Sequence, residues 1–205
     1  SYSVTGVQTC ALPIYNAEAF SYTANALNQY TSIADGGTVV PAYDDDGNML
    51  ALRSVSEGGV TNDLWRYTWD AENRLVMATD GASAVTNVYD QMSRRVAKAT
   101  SQGVRFFLYD GWNPVQEVAL GVGGLSTNFY VWGPDLSGSL QGAGGVGGLV
   151  AVVKDGVPYF AAYDANGNVS EYTAQNGTVV AHYEYDPFGN TTAATGAMAD
   201  DFAHR

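Results

Sequence analysis

Acidic side chains at regular intervals are the residues of this sequence whose types and spacing suggest chemistry. An aromatic residue followed by aspartate recurs every 20 to 26 residues or so, with one longer gap. Carboxylates in such numbers serve acid–base catalysis when two converge, bind Ca²⁺ through alternate oxygen ligands, or accept hydrogen bonds from a turn. The pairs are Tyr43-Asp44, Trp69-Asp70, Tyr89-Asp90, Tyr109-Asp110, Tyr163-Asp164 and Tyr185-Asp186.

The residues around each aspartate favour the turn. Residues 179–185 alternate between two faces at period two, which predicts a strand with one buried face. Asp186 then starts a turn through its side chain, and Pro187 presets φ for the next position. Gly189 supplies a positive φ at no steric cost, and Gly47 and Gly167 hold the same place in their copies. Each copy is therefore predicted to be strand, turn, strand.

Catalytic and metal-binding uses of these carboxylates have weaker support. The segments 44–48 and 164–168 lack the distant bidentate glutamate of a full calcium loop. His182 and His204 are the only histidines, and no Gly-x-Ser-x-Gly nucleophile turn accompanies them. A glycosidase-type carboxylate pair stays open at this stage. We expect no catalytic residue, cofactor or metal site, and a protein that is not an enzyme.

Composition narrows the class of partner. The formal net charge is −12, with 21 acidic against 9 basic residues. That balance argues against nucleic acid as a partner. No apolar stretch is long enough to span a membrane. Abundant glycine and tyrosine suit a turn-rich β-protein.

Three further patterns have two interpretations each. The repeated aromatic residues are either stacking platforms for sugars or bases, or rungs of a cross-strand ladder, and their fixed phase favours the ladder. The glycine-rich stretch 142–148 has no βαβ context, so we expect it to let the backbone bend or pack closely. Arg94, Arg95 and Lys98 form a basic cluster that we interpret as a solvated strand face.

Several segments resemble the YD repeat of bacterial Rhs proteins, which also occurs in toxin-complex subunits and animal teneurins. The segments are 67–75, 92–98, 109–113, 130–149 and 183–190. The resemblance implies an all-β fold, in which antiparallel hairpin repeats form one curved, continuous β-ribbon that is part of a hollow shell. In that family the shell encloses a cargo polypeptide, often a C-terminal toxin.

The resemblance also implies a domain organisation and a function. Residues 16–198 are expected to be the repeat region, and 199–205 a terminal tail that ends before the Rhs core. Residues 1–15 are expected to be an artefactual or disordered leader, because 4–14 resemble a translated sequencing adapter.

We expect a structural shell segment of a secreted or bacterial surface protein. Its partners would be further repeats of the same polypeptide and an encapsulated C-terminal effector. The alternative is an adhesion module that binds a glycan or cell-surface target through exposed aromatic residues. The residues with a structural repeat role are Tyr43, Asp44, Gly47, Trp69, Asp70, Tyr89, Asp90, Tyr109, Asp110, Tyr163, Asp164, Gly167, Tyr185, Asp186 and Gly189.

Overall fold

The fold is all-β. The computed structural model describes residues 21–34, 37–56, 58–59 and 61–202, and these residues contain sixteen β-strands and no helix. Over that part of the chain, no helix is therefore long and apolar enough to cross a membrane. The predicted leader, 1–15, lies outside the described residues.

Short turns connect most of the strands, and a longer connection spans residues 133–148. Their bounds are β1 Ser21–Ala24, β2 Tyr30–Ala34, β3 Thr38–Tyr43, β4 Met49–Val55, β5 Thr61–Trp69, β6 Leu75–Thr79, β7 Ala84–Tyr89, β8 Arg95–Thr100, β9 Gly103–Asp110, β10 Asn113–Gly121, β11 Gly124–Trp132, β12 Leu149–Lys154, β13 Val157–Tyr163, β14 Val169–Ala174, β15 Val179–Tyr185 and β16 Thr191–Thr195.

The order of the strands in the sheet follows the order of the chain, from β1 to β16. Successive strands pair as antiparallel hairpins, because connections this short allow only an antiparallel return. The prediction of an all-β ribbon of hairpin repeats is confirmed.

A β-bulge recurs at the aromatic residue that precedes the aspartate. The register shifts at Tyr43, Trp69, Tyr163 and Tyr185, which pair with Met49, Leu75, Val169 and Thr191. Each of these partners lies five residues after the aspartate of the same turn. A bulge re-aims the side chain at its position, so the aromatic residue occupies a special place in the strand.

Contacts divide the chain into two units, residues 1–88 with 99–101, and residues 89–98 with 102–205. In the described part of the first unit, Pro41 and Ala51 are buried, and most other side chains are half-buried or exposed.

The second unit has a larger core on one face of its sheet. Register places Tyr130, Val152, Tyr172, Ala181 and Tyr183 on the same side, which we call the covered face. All five side chains are buried, and Tyr172 and Tyr183 are the largest fully buried ones among the described residues.

The covered face is closed by the segment that follows β16. Residues 196–202, which we call the strap, cross this face and contribute Ala199 and Phe202 to the core. The predicted tail, 199–205, therefore begins within a packed segment, and its last three residues lie outside the described part.

The opposite side of β9–β13 carries large apolar side chains as well. Leu108 and Phe129 both pair with Gln116, while Val131 and Phe160 both pair with Ala151, so the four share a side. Phe106 belongs to the same side because it lies two residues before Leu108. We call these five residues the open face, since each is between 42% and 59% exposed.

Candidate functional site: the repeat turns

Each repeat turn is built around one aspartate side chain. Asp186 Oδ1 accepts hydrogen bonds from the backbone N–H groups of Phe188 and Asn190, both at 2.9 Å. The N–H of Asp186 donates to the Asn190 carbonyl, and the N–H of Gly189 donates to the Asp186 carbonyl. The same four bonds occur in the turns that begin at Asp44, Asp70, Asp90, Asp164 and Asp186.

The second carboxylate oxygen binds the side chain four residues later. Asn190 Nδ2 donates to Asp186 Oδ2 at 2.7 Å, and Arg74 Nε donates to Asp70 Oδ2 at 2.7 Å. This fourth residue is always asparagine or arginine in the five turns, although the sequence analysis predicted no hydrogen bond from its side chain to the aspartate. The five donors are Asn48, Arg74, Arg94, Asn168 and Asn190.

These hydrogen bonds favour the charged carboxylate. The Asn190 side chain is the main cause that holds the pKa of Asp186 below its usual value, and Asn168 acts in the same way on the pKa of Asp164. Desolvation is the largest single influence on the pKa of Asp70 and acts to raise it. The backbone and side chain of Arg74 outweigh that influence, so the net shift of this pKa is downward.

The third residue after the aspartate has a positive φ in all five turns. Gly47 has φ of 89°, and Gly167 and Gly189 have 83°. Asn73 and Ser93 occupy the same position with φ of 58° and 62°. The turn thus requires the left-handed region, which glycine enters most readily and asparagine tolerates.

The aromatic residue before the aspartate joins neighbouring repeats. Trp69 Nε1 donates to the carbonyl oxygen of Met49 at 2.8 Å, and Tyr185 Oη donates to that of Val169 at 2.8 Å. Tyr109 Oη donates to the carbonyl of Arg95 at 2.9 Å. In all three cases the acceptor lies five residues after the aspartate of the preceding turn.

Tyr163 and Trp132 make the same kind of bond. Tyr163 Oη donates to the carbonyl of Leu149, and Trp132 Nε1 donates to that of Pro114 at 2.7 Å. Burial raises the pKa of Tyr163 to about 12, which keeps its hydroxyl protonated and able to donate. The polar ends of these rings are engaged within the sheet.

Asp110 makes a different turn from the other aspartates. It lies within β9 and pairs with Asn113, so that Gly111 and Trp112 alone form the connection. Gly111 has φ of 58°. The side chain of Gln141 donates to the carbonyl of Asp110, which ties this turn to the glycine-rich stretch.

Asp135, which was not among the predicted repeat residues, builds a turn as well. Its Oδ1 accepts from the N–H of Ser137 at 2.9 Å, and its Oδ2 accepts from the N–H groups of Ala143 and Gly145 at 2.7 and 3.1 Å. The hydrogen bond from the Ser137 side chain is the main cause that lowers the pKa of Asp135 to about 2. The glycine-rich stretch thus folds back onto a carboxylate.

Arg94 departs from the interpretation of a solvated basic face. Its guanidinium binds Asp90 Oδ2 at 2.7 Å and lies 5.2 Å from the centre of the Tyr109 ring. Its side chain is 18% exposed. Arg94 is therefore a structural part of its turn, and the signal was available in its position four residues after an aspartate.

A buried carboxylate lies on the covered side of β10. Glu117 Oε2 accepts a hydrogen bond from Tyr130 Oη at 2.7 Å, and its Oε1 binds Arg105. Glu117 is 3% exposed. Desolvation, and then the bond to Glu117, raises the pKa of Tyr130. No feature of the sequence marked this cluster.

The surroundings of His182 bear on catalysis and metal binding. The ring lies between two carboxylates, with Nδ1 3.3 Å from Glu171 Oε1 and Nε2 3.5 Å from Glu184 Oε1. His204 lies outside the described residues. Over the part of the chain with assigned structure, no three histidine, cysteine or acidic side chains are arranged to hold a metal ion.

Part of the chain matches a known protein family. The RHS Repeat family matches residues 163–197, which contain the turns at Asp164 and Asp186. Over these residues the chain is similar to RHS-repeat proteins. The family resemblance predicted from the sequence is thereby confirmed.

The curated relatives of this chain are named as nucleases. It is 29% identical over 171 residues to the tRNA3(Ser)-specific nuclease WapA of Bacillus spizizenii, and the match covers 82% of this chain and 6% of that protein. The tRNA nuclease WapA of Bacillus subtilis gives the same values. The chain therefore spans a small part of the length of these relatives.

A solved structure shares the fold of this chain. The crystal structure of TcdB2-TccC3 superposes with a TM-score of 0.54 at 12% identity, and the match covers 89% of this chain and 11% of that one. At this level of identity the match shows the fold alone.

One expectation drawn from the sequence is wrong. We expected a protein that is not an enzyme, because each recurrent aspartate had a role in a turn. The curated relatives are named as tRNA-specific nucleases, at 29% identity over 82% of the chain. The local roles of the aspartates gave no information on the activity of proteins that carry such repeats.

Proposed function

We propose that this chain is a wall segment of an RHS-repeat toxin, and that its sheet encloses or presents an effector domain of the same polypeptide. Residues 16–198 would be the repeat region of that wall. The observation that carries this proposal is the open face, because β9, β11 and β13 each place large, half-exposed apolar side chains on the same side of the sheet.

The open face differs from the solvent side of an ordinary antiparallel sheet. Such a sheet alternates apolar residues inward with polar residues outward. Here Phe106, Leu108 and Phe129 are about half exposed on the side opposite the buried core. Contiguous apolar surface on a folded protein marks a site that another polypeptide or ligand covers. A polypeptide cargo fits a surface of this kind, because apolar contacts between the cargo and the open face require no specific polar partner.

The repeat turns support the same proposal. Each of the five aspartates satisfies its own turn. The bulged residues Trp69, Tyr163 and Tyr185 each bind the backbone of a neighbouring repeat. A unit of this kind stacks in series and buries its apolar surface against the next copy. The similar proteins point to no glycan, and we do not propose the glycan-binding alternative.

The test uses the full-length polypeptide from the source locus. Phe129→Asp with Phe160→Asp places two charges on the open face. The matched control, Ala82→Asp with Gln175→Asp, places two charges in exposed turns. Limited proteolysis is followed with an antibody against the region after residue 205. We expect that region to lose its protection only in the open-face variant. Equal protection in both variants would reject the enclosing role.

We further propose that the polypeptide carrying these repeats is a toxin that cleaves tRNA outside the cell that produces it. The names of the curated relatives support this activity. An RNA substrate also departs from our expectation, based on a net charge of −12, that this chain has no nucleic-acid partner.

Two assays test this second proposal separately from the first. Full-length protein is incubated with total tRNA, and cleavage ends are mapped by sequencing. Secretion is measured by fractionation of cultures with an antibody against residues 61–202. Intact tRNA at every protein concentration would reject the nuclease proposal while leaving the wall proposal untouched.

A further inference from the structure

The strap is held on the covered face by a small set of specific contacts. The Phe202 ring stacks on Tyr172 with centroids 3.8 Å apart and an interplanar angle of 17°, and it meets Tyr159 edge-on at 5.5 Å. Tyr183 Oη donates to the carbonyl of Ala199 at 2.7 Å. Lys154 Nζ binds Asp201 Oδ1 at 2.7 Å. The covered face therefore contacts four features of the strap: a phenylalanine ring, an acidic side chain, a small residue and a backbone carbonyl.

The floor beneath the strap belongs to strands that pair with one another without it. Tyr172 pairs with Ala161 on one side and Ala181 on the other through the backbone of β13, β14 and β15. The strap itself adds no strand to the sheet. We call the site that the strap fills the groove. The backbone of the groove therefore stays paired when the strap leaves, and only its aromatic floor around Tyr172 becomes exposed.

The junction between β16 and the strap is a hinge with one steric requirement. Gly196 has φ of +108°, and a Cβ at this position would lie 2.4 Å from the carbonyl oxygen of Val180. Only glycine fits this fold-back. A side chain there would disfavour the closed position of the strap while leaving its contact residues intact.

We propose that the strap is exchangeable, and that the groove it fills accepts the same segment from a second copy of this chain. The second copy is the occupant that fits, because its residues 199–202 reproduce every contact to Tyr159, Tyr172, Tyr183 and Lys154. Its Gly196 then lies in an open hinge, outside the fold-back. Exchange of an identical element about a short hinge is a low-cost route to a dimer. The inference is independent of any enclosed effector.

The first experiment asks whether the groove survives without its own strap. In the full chain, Phe202→Ala removes the stacked ring. We expect amide hydrogen exchange in residues 169–174 and 180–185 to accelerate by about tenfold or more, while residues 61–79 are unchanged. A fluorescent peptide with the sequence of residues 196–202 should then bind to this variant.

Peptide variants supply the controls for binding. A peptide with Phe202→Ala should bind roughly tenfold more weakly or not at all, since the aromatic contact dominates. A peptide with Asp201→Asn should lose affinity for the Phe202→Ala chain but not for the same chain with Lys154→Ala. Accelerated hydrogen exchange without peptide binding would overturn the proposal that the groove accepts a second strap. Unchanged hydrogen exchange would overturn the proposal that the strap can leave its place.

The second experiment asks whether a second copy is the occupant. Gly196→Val keeps Phe202 and Asp201 but blocks the fold-back. We expect a concentration-dependent dimer in analytical ultracentrifugation, and a monomer for Gly196→Val combined with Phe202→Ala. A monomeric Gly196→Val chain, or a dimer that persists without Phe202, would overturn exchange between copies. The peptide experiment tests whether the groove accepts a second strap even if the Gly196→Val chain fails to fold.

Discussion

The Trp69 indole N–H lies 2.8 Å from the carbonyl oxygen of Met49, twenty residues earlier in the chain. Met49 is the first residue of β4 and follows the turn at Asp44, while Trp69 is the last residue of β5 and precedes the turn at Asp70. One side chain thus joins the end of one repeat to the start of another. The bulge at Trp69 is what gives this position its separate orientation.

This bond should make a measurable contribution to stability. Trp69→Phe keeps an aromatic ring but removes the donor to Met49. We expect the free energy of unfolding to fall by about 1–2 kcal/mol, because a part-buried carbonyl loses its partner. Urea denaturation measures the change. Trp112→Phe, at a ring that is 57% exposed, is the control and should cost less than about 0.5 kcal/mol. Equal losses of stability in both variants would contradict a stabilising role for the hydrogen bond between Trp69 and Met49.

Asp135 should contribute stability that depends on pH. The pKa of Asp135 is about 2 in the folded protein, against an ordinary value of 3.8. The folded state therefore holds fewer protons than the unfolded state in this range, and the contribution is fully present above about pH 4 and lost as pH falls towards 2. We expect the gap in urea midpoint between wild type and Asp135→Asn to be largest at neutral pH and to shrink below pH 4. A gap independent of pH would exclude an ionic contribution.

Two glycines with the same backbone angle separate strain from packing. Gly167 and Gly177 both have φ of +83°. A Cβ at Gly167 would lie 2.7 Å from Val146 Cγ1, whereas a Cβ at Gly177 meets nothing within 4 Å. Gly177→Ala should cost about 1 kcal/mol from the left-handed backbone alone. Gly167→Ala should cost about 1–3 kcal/mol more, through overpacking against the glycine-rich stretch. Similar melting temperatures for the two variants would show that the glycine-rich stretch moves aside without a measurable loss of stability.

The hydrogen bond between Tyr130 and Glu117 should depend on the carboxylate charge. Tyr130→Phe leaves Oε2 of the buried Glu117 without this donor, and we expect a loss of about 1.5–3 kcal/mol. In a Glu117→Gln background the same change should cost about 0.5–1.5 kcal/mol, because the acceptor is then neutral. Chemical denaturation of the four proteins in this cycle gives the coupling energy directly. A coupling near zero would mean that the two side chains act independently.

The five Asp-centred turns were predictable from the sequence because each is complete within five residues. The turn needs only an aspartate, a glycine, asparagine or serine three residues later, and a side-chain donor at the fourth position. The hydrogen bond from the fourth residue to the aspartate was nevertheless not predicted, and Arg94 was interpreted as a solvated basic residue. The position of Arg94, four residues after an aspartate, indicated its role in the turn. Its residue type did not, because arginine is also common at ordinary surface positions.

The all-β class was likewise predictable, from the alternation of side chains along the strands. Hairpins follow from short turns between alternating segments, and their order in the sheet follows from the order in the chain. These are local properties, so spacing was enough to predict them, and the repeated motifs carried the family resemblance. The activity of the curated relatives was not predictable in this way, because a repeat carries no signal of the chemistry in the rest of a polypeptide.

Tertiary structure alone decided the contacts that join distant residues. The sequence did not indicate that Trp69 binds Met49, that Glu117 is buried beneath Tyr130, or that Lys154 binds Asp201, forty-seven residues away. It also could not distinguish the covered face from the open face, because both carry aromatic and aliphatic side chains at period two. The strap decides that difference physically: by stacking Phe202 on Tyr172, it buries one face of β13–β15, while the face of β9–β13 that bears Phe129 and Phe160 stays about half exposed.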